Sequence, residues 1–187
     1  MKFTPFIRYT VVFCIFLSAC NQESNTSENA SVGSSAEQMK IAEAWNNSSD
    51  WVKQITQSDS LVIRNKNWGM DFSQVKDPLE LAESQPPLGK SFSLYFDDSD
   101  LNFVDITYIP NAAGKFAEID LDVYVEEPSQ VKAFQKNIKD YFDVKYGTSV
   151  SQGKKISWSQ NKNTQVELED VSTSKDPGIK IVLKAKP

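Results

Sequence analysis

Apolar and polar residues alternate in several short stretches of this chain, and a period of two is typical of β-strands that bury one face. The clearest alternation runs from Glu118 to Glu126, where isoleucine, leucine and valine alternate with glutamate, aspartate and tyrosine. Alternation at 91–97 and at 103–109 predicts two further strands. The polar residues 98–102 between them predict a turn, so these two strands should form a hairpin.

Helices are predicted where apolar residues recur every three or four positions. One such stripe covers residues 41–55, but the polar run at 46–49 interrupts it, which predicts either one bent helix or two short ones. A second stripe covers residues 128–145 and ends at Gly147, which predicts a longer helix.

A further helix is predicted to begin at Ser73, because Asp71 and Gln74 have the spacing of a capping box. The tetrapeptide Ser73–Lys76 recurs as Ser129–Lys132 at the start of the longer helix, and this recurrence leaves an internal duplication open. Turn-forming residues then separate three more predicted strands, which lie near 155–159, 165–171 and 179–184.

The predicted order of elements is therefore helix, three strands, helix, three strands. Strands joined by short turns pair in an antiparallel sheet, and helices placed between such groups of strands cover one of its faces. The sequence thus predicts an α+β fold, a two-layer domain with an antiparallel sheet of about six strands and helices on one face. We expect this single domain to occupy residues 36–187.

The first twenty residues have the pattern of an export signal. Lys2 and Arg8 precede an apolar run, which is followed by Leu-Ser-Ala-Cys at 17–20. The run is shorter than the ~20 apolar residues that a membrane-spanning helix needs. The Leu-Ser-Ala-Cys stretch resembles the lipobox of bacterial lipoproteins. This resemblance implies that residues 1–19 are removed as a signal peptide and that Cys20 is lipidated and anchors the protein to a membrane.

The residues after Cys20 refine this expectation. In lipoproteins of enteric-type bacteria, Asp after the cysteine resembles an inner-membrane retention signal, so Asn21 implies the outer membrane, facing the periplasm. Residues 20–35 are predicted to form the lipidated cysteine and a flexible Ser- and Asn-rich tether, about 20 Å in typical reach. The Gly-Met start and the later valine of residues 69–75 resemble the start of small outer-membrane lipoproteins of the assembly machinery.

Composition narrows the possible chemistry. Without residues 1–19, eighteen basic and twenty-five acidic side chains remain, a net charge of −7, which disfavours nucleic acid and anionic lipid as partners. The chain contains no histidine, so imidazole metal ligands and histidine-based nucleophilic catalysis are excluded. Cys14 would leave with the signal peptide, so lipidation of Cys20 would leave no free thiol and no disulfide. We therefore predict no cofactor and no metal.

Two motifs suggest chemistry but are incomplete. Asp98, Asp100 and Asn102 have the spacing of the first ligands of a calcium loop, but the required later glycine and glutamate are missing, which favours a solvated turn. Ser73 with Lys76, and Ser129 with Lys132, fit the Ser-x-x-Lys pattern of penicillin-binding enzymes. The companion motifs of those enzymes are missing, so we interpret both serines as helix N-caps.

The acidic stripe of the clearest strand is the most distinctive surface that the sequence predicts. We predict that it can form a partner-binding face, which consists of Glu118, Asp120, Asp122, Tyr124 and Glu126. Three interpretations are open: a solvated face paired with lysines of neighbouring strands such as Lys180 and Lys184, a docking face for a basic partner, or a pair of catalytic carboxylates.

These observations favour a membrane-anchored periplasmic lipoprotein that acts as a non-enzymatic protein-binding or adaptor domain. One alternative is an immunity-type lipoprotein that neutralises a basic secreted toxin through the acidic stripe. Another is a carboxylate-dependent hydrolase of the cell wall, which would require a deep pocket with two close carboxylates.

Overall fold

The computed structural model describes residues 35–77, 82–83 and 89–187. The predicted signal peptide (1–19), Cys20 and the tether up to residue 34 lie outside these residues. The helices are α1 (Ser35–Asn46), α2 (Asp50–Thr56) and α3 (Pro128–Tyr146), and Phe72–Gln74 form one turn of 3₁₀-helix. Within the described residues, none of the helices combines the length and the apolar character that a membrane span requires.

All strands belong to one antiparallel sheet, so the fold is α+β. In chain order the strands are β1 (Ala82–Glu83), β2 (Lys90–Tyr95), β3 (Phe103–Pro110), β4 (Phe116–Tyr124), β5 (Val150–Gln152), β6 (Lys155–Trp158), β7 (Thr164–Asp170) and β8 (Gly178–Ala185). Their order across the sheet is β1-β2-β3-β4-β8-β7-β6-β5. The last strand of the chain therefore lies at the centre of the sheet, between β4 and β7.

The prediction of about six strands was wrong, because the described residues form eight. The two additional strands, β1 and β5, contain two and three residues. Strands this short show no alternation, and all three residues of β5 are exposed, so no buried position marks it in the sequence.

The order of elements also differs from the prediction. Residues 41–55 form two short helices, α1 and α2, and Ser49 caps the second through a hydrogen bond from the Val52 backbone N–H. The predicted helix at Ser73 is absent, because only Phe72–Gln74 make a turn and Asp71 makes no capping bond. Pro78 follows closely in the sequence, and a proline disfavours helical backbone in the residue before it. The two copies of the repeated tetrapeptide therefore adopt different structures.

The core lies between the helices and one face of the sheet. Helix α3 buries a stripe of apolar and aromatic residues, Val131, Phe134, Ile138, Tyr141, Phe142 and Tyr146. These side chains join Val52 and Ile55 of α2 and the alternate buried residues of β3, β4, β6, β7 and β8 in a single cluster. The residues between them along these strands point to the opposite side, which we call the open face.

Candidate functional site

The register of the sheet places the predicted acidic stripe on the open face. Asp122 is paired with Asp105 of β3 on one side and with Lys180 of β8 on the other. Asp120 is paired with Thr107 and Val182. The alternation along the most regular strand thus predicted the side of the sheet on which Glu118, Asp120, Asp122 and Tyr124 lie.

Lysines of β8 neutralise part of this stripe. The Lys180 Nζ atom donates to Asp120 Oδ2 at 3.1 Å and to Asp122 Oδ1 at 3.3 Å, and Lys184 Nζ lies 3.1 Å from Glu118 Oε1. The neighbouring carboxylates hold the pKa of Lys180 above its usual value, although burial alone would lower it. These contacts are the cross-strand pairs expected of a solvated face, and each is worth at most about 1 kcal/mol at such exposure.

Glu126 lies apart from the other four residues of the predicted face. The strand ends at Tyr124, and the backbone N–H of Glu126 donates to Asn102 Oδ1 at 2.9 Å in the hairpin between β2 and β3. The side chain of Glu126 is within 3.5 Å of Ser99 Oγ in the same hairpin. The structure therefore brings Glu118, Asp120, Asp122 and Tyr124 together and places Glu126 at the end of the face.

Carboxylates outnumber lysines on the open face. Paired positions across the described sheet place six carboxylates there, Asp105, Glu118, Asp120, Asp122, Glu167 and Glu169, against three lysines, Lys155, Lys180 and Lys184. Lys155 contacts Glu167 and Glu169. Among the described residues, Asp105 is in no ion pair and accepts a hydrogen bond from Ser93 Oγ. The excess of negative charge on the open face therefore extends to strand β3.

One feature of the open face is aromatic rather than charged. Tyr95 of β2, Phe103 of β3 and Tyr124 of β4 occupy one row across three strands, and we call them the aromatic ladder. The ring centroids of Phe103 and Tyr124 are 4.8 Å apart, and the two rings are stacked with 24° between their planes. The ring centroids of Tyr95 and Phe103 are 5.6 Å apart. Tyr95 is 53% exposed and Tyr124 is 38% exposed. This ladder is the largest exposed aromatic feature of the described residues.

The ladder ends at a glycine. Tyr124 is paired with Gly178 of β8, which has no side chain to continue the row. A Cβ atom at Gly178 would lie 2.7 Å from the Val123 carbonyl oxygen and 3.9 Å from Tyr124 Cδ1, so close packing excludes other residues here. Burial and the nearby carboxylates Asp122, Asp105 and Asp176 raise the pKa of Tyr124. The end of the ladder therefore lies near three carboxylates and one lysine, Lys180.

A second cluster of charged residues is buried on the side of the sheet that faces the helices. The Arg64 guanidinium donates to Asp77 through Nε at 3.1 Å and Nη2 at 2.9 Å, and to the carbonyl oxygens of Gln54 and Ile55. Tyr108 donates to Asp77 Oδ2 at 2.7 Å, and Lys66 Nζ lies 3.8 Å from the same atom. Because its polar groups are paired with protein groups, we interpret this cluster as structural.

Lys145 is a third candidate, because burial lowers its pKa to about 8, although the Asp59 charge opposes this shift. Its Nζ atom lies 3.1 Å from Tyr141 Oη and above the rings of Tyr141 and Tyr146. The aliphatic stem and ammonium group thus cover aromatic surface of the core, a common role for a lysine at the edge of a domain.

The incomplete motifs have structural roles at the positions that are described. Asn102, from the possible calcium loop, is buried and donates to Asp97 while its Oδ1 accepts from Glu126, so it organises the hairpin turn. Ser129 is not the N-cap of α3, because Glu127 occupies that position and forms a capping box with Gln130. Ser73 makes no cap either, because no helix follows it.

A hydrolase would require two close carboxylates in a pocket. The depression over β7 and β8 has a volume of about 300 Å³ and contains one carboxylate, that of Glu167, beside Gln165, Val182 and Lys184. The sequence does not reveal the aromatic ladder, because only the register shows that three rings from separate strands align. Comparisons with protein-family models, curated proteins and solved structures give no match to this chain.

Proposed function

We propose that this protein is a lipid-anchored binding module of the periplasm, which engages a protein partner through the open face of its sheet. The observation that carries this proposal is the aromatic ladder. Two tyrosines that are more than one third exposed lie on either side of Phe103 in one row of a face that also carries six carboxylates and three lysines. Tyrosine is enriched at the energetically important centre of protein interfaces, because it combines apolar area with a polar end.

The surroundings of the ladder also have the composition of an interface. Charged residues such as Asp105, Asp122 and Lys180 flank the rings, as polar residues flank the apolar centre of a binding patch. Strands β2, β3 and β4, which are paired with one another in the sheet, carry the rings. Little conformational entropy is lost when tyrosine side chains become ordered on binding. This arrangement favours binding over catalysis as the role of the face.

The proposed anchor would restrict the partner to the neighbourhood of the membrane. Lipidation of Cys20 followed by a flexible tether would hold the domain about 20 Å from the membrane surface. The domain would then remain free to orient its open face towards a membrane protein or a soluble periplasmic protein. We place the protein at the outer membrane, facing the periplasm, on the basis of Asn21.

A second candidate function is supported by the excess of carboxylates on the open face. An immunity-type lipoprotein that neutralises a basic toxin would use such a face to bind a complementary positive surface. A toxin gene adjacent to the gene of this protein would favour this function over a general adaptor role.

We expect the double substitution Tyr95→Ala and Tyr124→Ala to reduce partner capture about tenfold or more, because hot-spot tyrosines dominate the binding energy of an interface. The full-length chain with an affinity tag would be cross-linked in native membranes. Captured proteins would then be quantified by mass spectrometry. Phe103 is left unchanged, so that the packing between β3 and its neighbours is retained.

Two control variants match the exposure of the tyrosines without touching the ladder. Val150→Ala alters a 63% exposed residue of β5 at the far edge of the sheet, and Val144→Ala alters a 40% exposed residue of α3. Both should leave capture within about twofold of the parent, because most residues outside the hot spot contribute little. Equal capture by the parent and the double tyrosine variant, with unchanged thermal unfolding, would refute the proposed role of the ladder.

A further inference from the structure

We infer that the end of the aromatic ladder is a receptor for an arginine side chain from a basic segment of the partner protein. The site consists of the Tyr124 ring and the carboxylates of Asp105, Asp122 and Asp176. This inference rests on the proposed protein-binding function and specifies the chemistry that the open face recognises.

The Tyr124 ring is covered by another side chain on one side only. One side of the ring packs on Phe103 with an angle of 24° between the ring planes. On the other side the paired residue is Gly178, which has no side chain to cover the ring. The ring is 38% exposed, and close packing against the Val123 carbonyl group prevents any larger residue at position 178. The π-system of Tyr124 is therefore available to a planar group that approaches over β8.

Carboxylates outnumber lysines around this ring. Asp105 and Asp122 are paired in the row of the open face next to Tyr124. Burial raises the pKa of Tyr124, and so do Asp122, Asp105 and Asp176, whereas Lys180 opposes the shift. Lys180 is already shared between Asp120 and Asp122. Among the described residues, Asp105 and Asp176 form no ion pair; they accept hydrogen bonds from the hydroxyl groups of Ser93 and Thr173. An incoming cation would meet two carboxylates that have no cationic partner.

Arginine matches both features. Its guanidinium group is planar, stacks on aromatic faces and donates hydrogen bonds to carboxylates in the same plane. A lysine ammonium group would gain the charge attraction but would form a less extensive contact with the ring. Phosphate groups and anionic lipids would be repelled by the three carboxylates. A neutral sugar would stack on the ring without using the charges.

The test uses peptide probes and the full-length chain in detergent solution. Acetyl-Gly-Arg-Arg-Gly-amide, the corresponding Lys-Lys peptide and the corresponding Gln-Gln peptide are titrated while the aromatic NMR signals of Tyr95 and Tyr124 are followed. Signals are assigned with the Tyr95→Phe and Tyr124→Phe variants. We expect the Arg-Arg peptide to shift the Tyr124 signals, to bind more tightly than the Lys-Lys peptide and to lose affinity as salt is added.

Variants distinguish the contribution of the Tyr124 ring to peptide binding from that of the carboxylates. Tyr124→Ala should weaken binding of the Arg-Arg peptide by about threefold to fivefold, whereas Tyr124→Phe keeps the ring and should retain it. The double substitution Asp105→Asn and Asp176→Asn should weaken binding by about threefold, because ion pairs at partly exposed sites are weak. Asp140→Asn on the exposed side of α3 is the matched control and should have no effect.

Three results would overturn the inference. They are equal binding of the Gln-Gln and Arg-Arg peptides, unchanged binding after the two Asp→Asn substitutions, and a shift of the Tyr124 signals by a neutral chitin oligosaccharide or inorganic phosphate but not by the Arg-Arg peptide. These results leave the proposed function testable on its own. If the Tyr95→Ala and Tyr124→Ala substitutions abolish partner capture but the Arg-Arg peptide does not compete with the partner, the face binds protein without recognising arginine.

Discussion

Replacing Asp77 with alanine should destabilise the domain by about 3–5 kcal/mol, the typical cost of removing one partner from a buried ion pair. The side chains of Arg64 and Asp77 are completely buried, and that of Lys66 is 6% exposed. Without the carboxylate, the two buried cations would have no anionic partner among the described residues, and Tyr108 would lose its acceptor. Urea unfolding of the full-length chain, followed by tryptophan fluorescence, measures this loss as a lower midpoint.

Asp71→Ala is the matched control for this prediction. Asp71 is also paired with a lysine, Lys115, at 2.7 Å, but its side chain is 57% exposed and that of Lys115 is 42% exposed. Such a surface pair contributes about 0–1 kcal/mol, so the unfolding midpoint should change little. Equal midpoints for the Asp71→Ala and Asp77→Ala variants would show that the buried cluster does not stabilise the fold.

The same cluster predicts a dependence of stability on pH. Burial alone would raise the pKa of Asp77, but the hydrogen bonds from Arg64 and Tyr108 outweigh it and hold the pKa below the usual value. A lowered folded-state pKa stabilises the fold above the unfolded-state pKa, and this stabilisation is lost as the pH falls through the folded-state value. Acid unfolding of the parent should therefore show a component below pH ~4 that the Asp77→Ala variant lacks.

The regular strands of the sheet were predictable because one face of each is buried and the other is not. Strand β3 buries every second residue from Val104 to Tyr108, and β4 does so from Ile119 to Val123. Strand β7 repeats this pattern at Thr164, Val166 and Leu168. Helix α3 was predictable for a similar reason, because its buried residues recur every three or four positions. In these elements the burial pattern and the local backbone preference agree.

The pairing of the strands was not predictable from this pattern. Alternation shows which face of β8 is buried, but it does not show that β8 lies between β4 and β7. The positions of β1 and β5 are set by pairing with β2 and β6 and not by burial. The absence of a helix at Ser73 is also a tertiary effect, because the chain beyond it is extended at Val75 and brings Asp77 to Arg64.

The candidate site was predictable in part. The sequence places Asp120, Asp122 and Tyr124 on one side of a strand, and Lys180 was among the expected partners. The aromatic ladder depends on the alignment of Tyr95, Phe103 and Tyr124, which requires the register of two strand pairs. Nothing in the sequence indicates the buried cluster around Arg64, because charged residues in connecting segments are usually solvated.

Replacing Cys20 with serine should abolish lipid labelling and release the protein from the membrane. Cys20 lies outside the residues that the structure describes, so this prediction rests on the resemblance of Leu17–Cys20 to a lipobox. Two or three acyl chains hold a protein stably on a membrane, because each buried methylene contributes about 0.8 kcal/mol. We expect the domain to have little other affinity for anionic lipid, since residues 20–187 carry a net charge of −7.

Metabolic labelling with an alkyne analogue of palmitate, followed by membrane fractionation, tests this prediction. Cys14→Ser is the control, because Cys14 precedes the expected cleavage site and its loss should leave both the label and the membrane fraction unchanged. If the unaltered protein remains in the membrane fraction without any label, the lipobox interpretation is wrong. Release of the unlabelled Cys20→Ser variant, together with normal behaviour of Cys14→Ser, would show that the lipid on Cys20 holds the protein on the membrane.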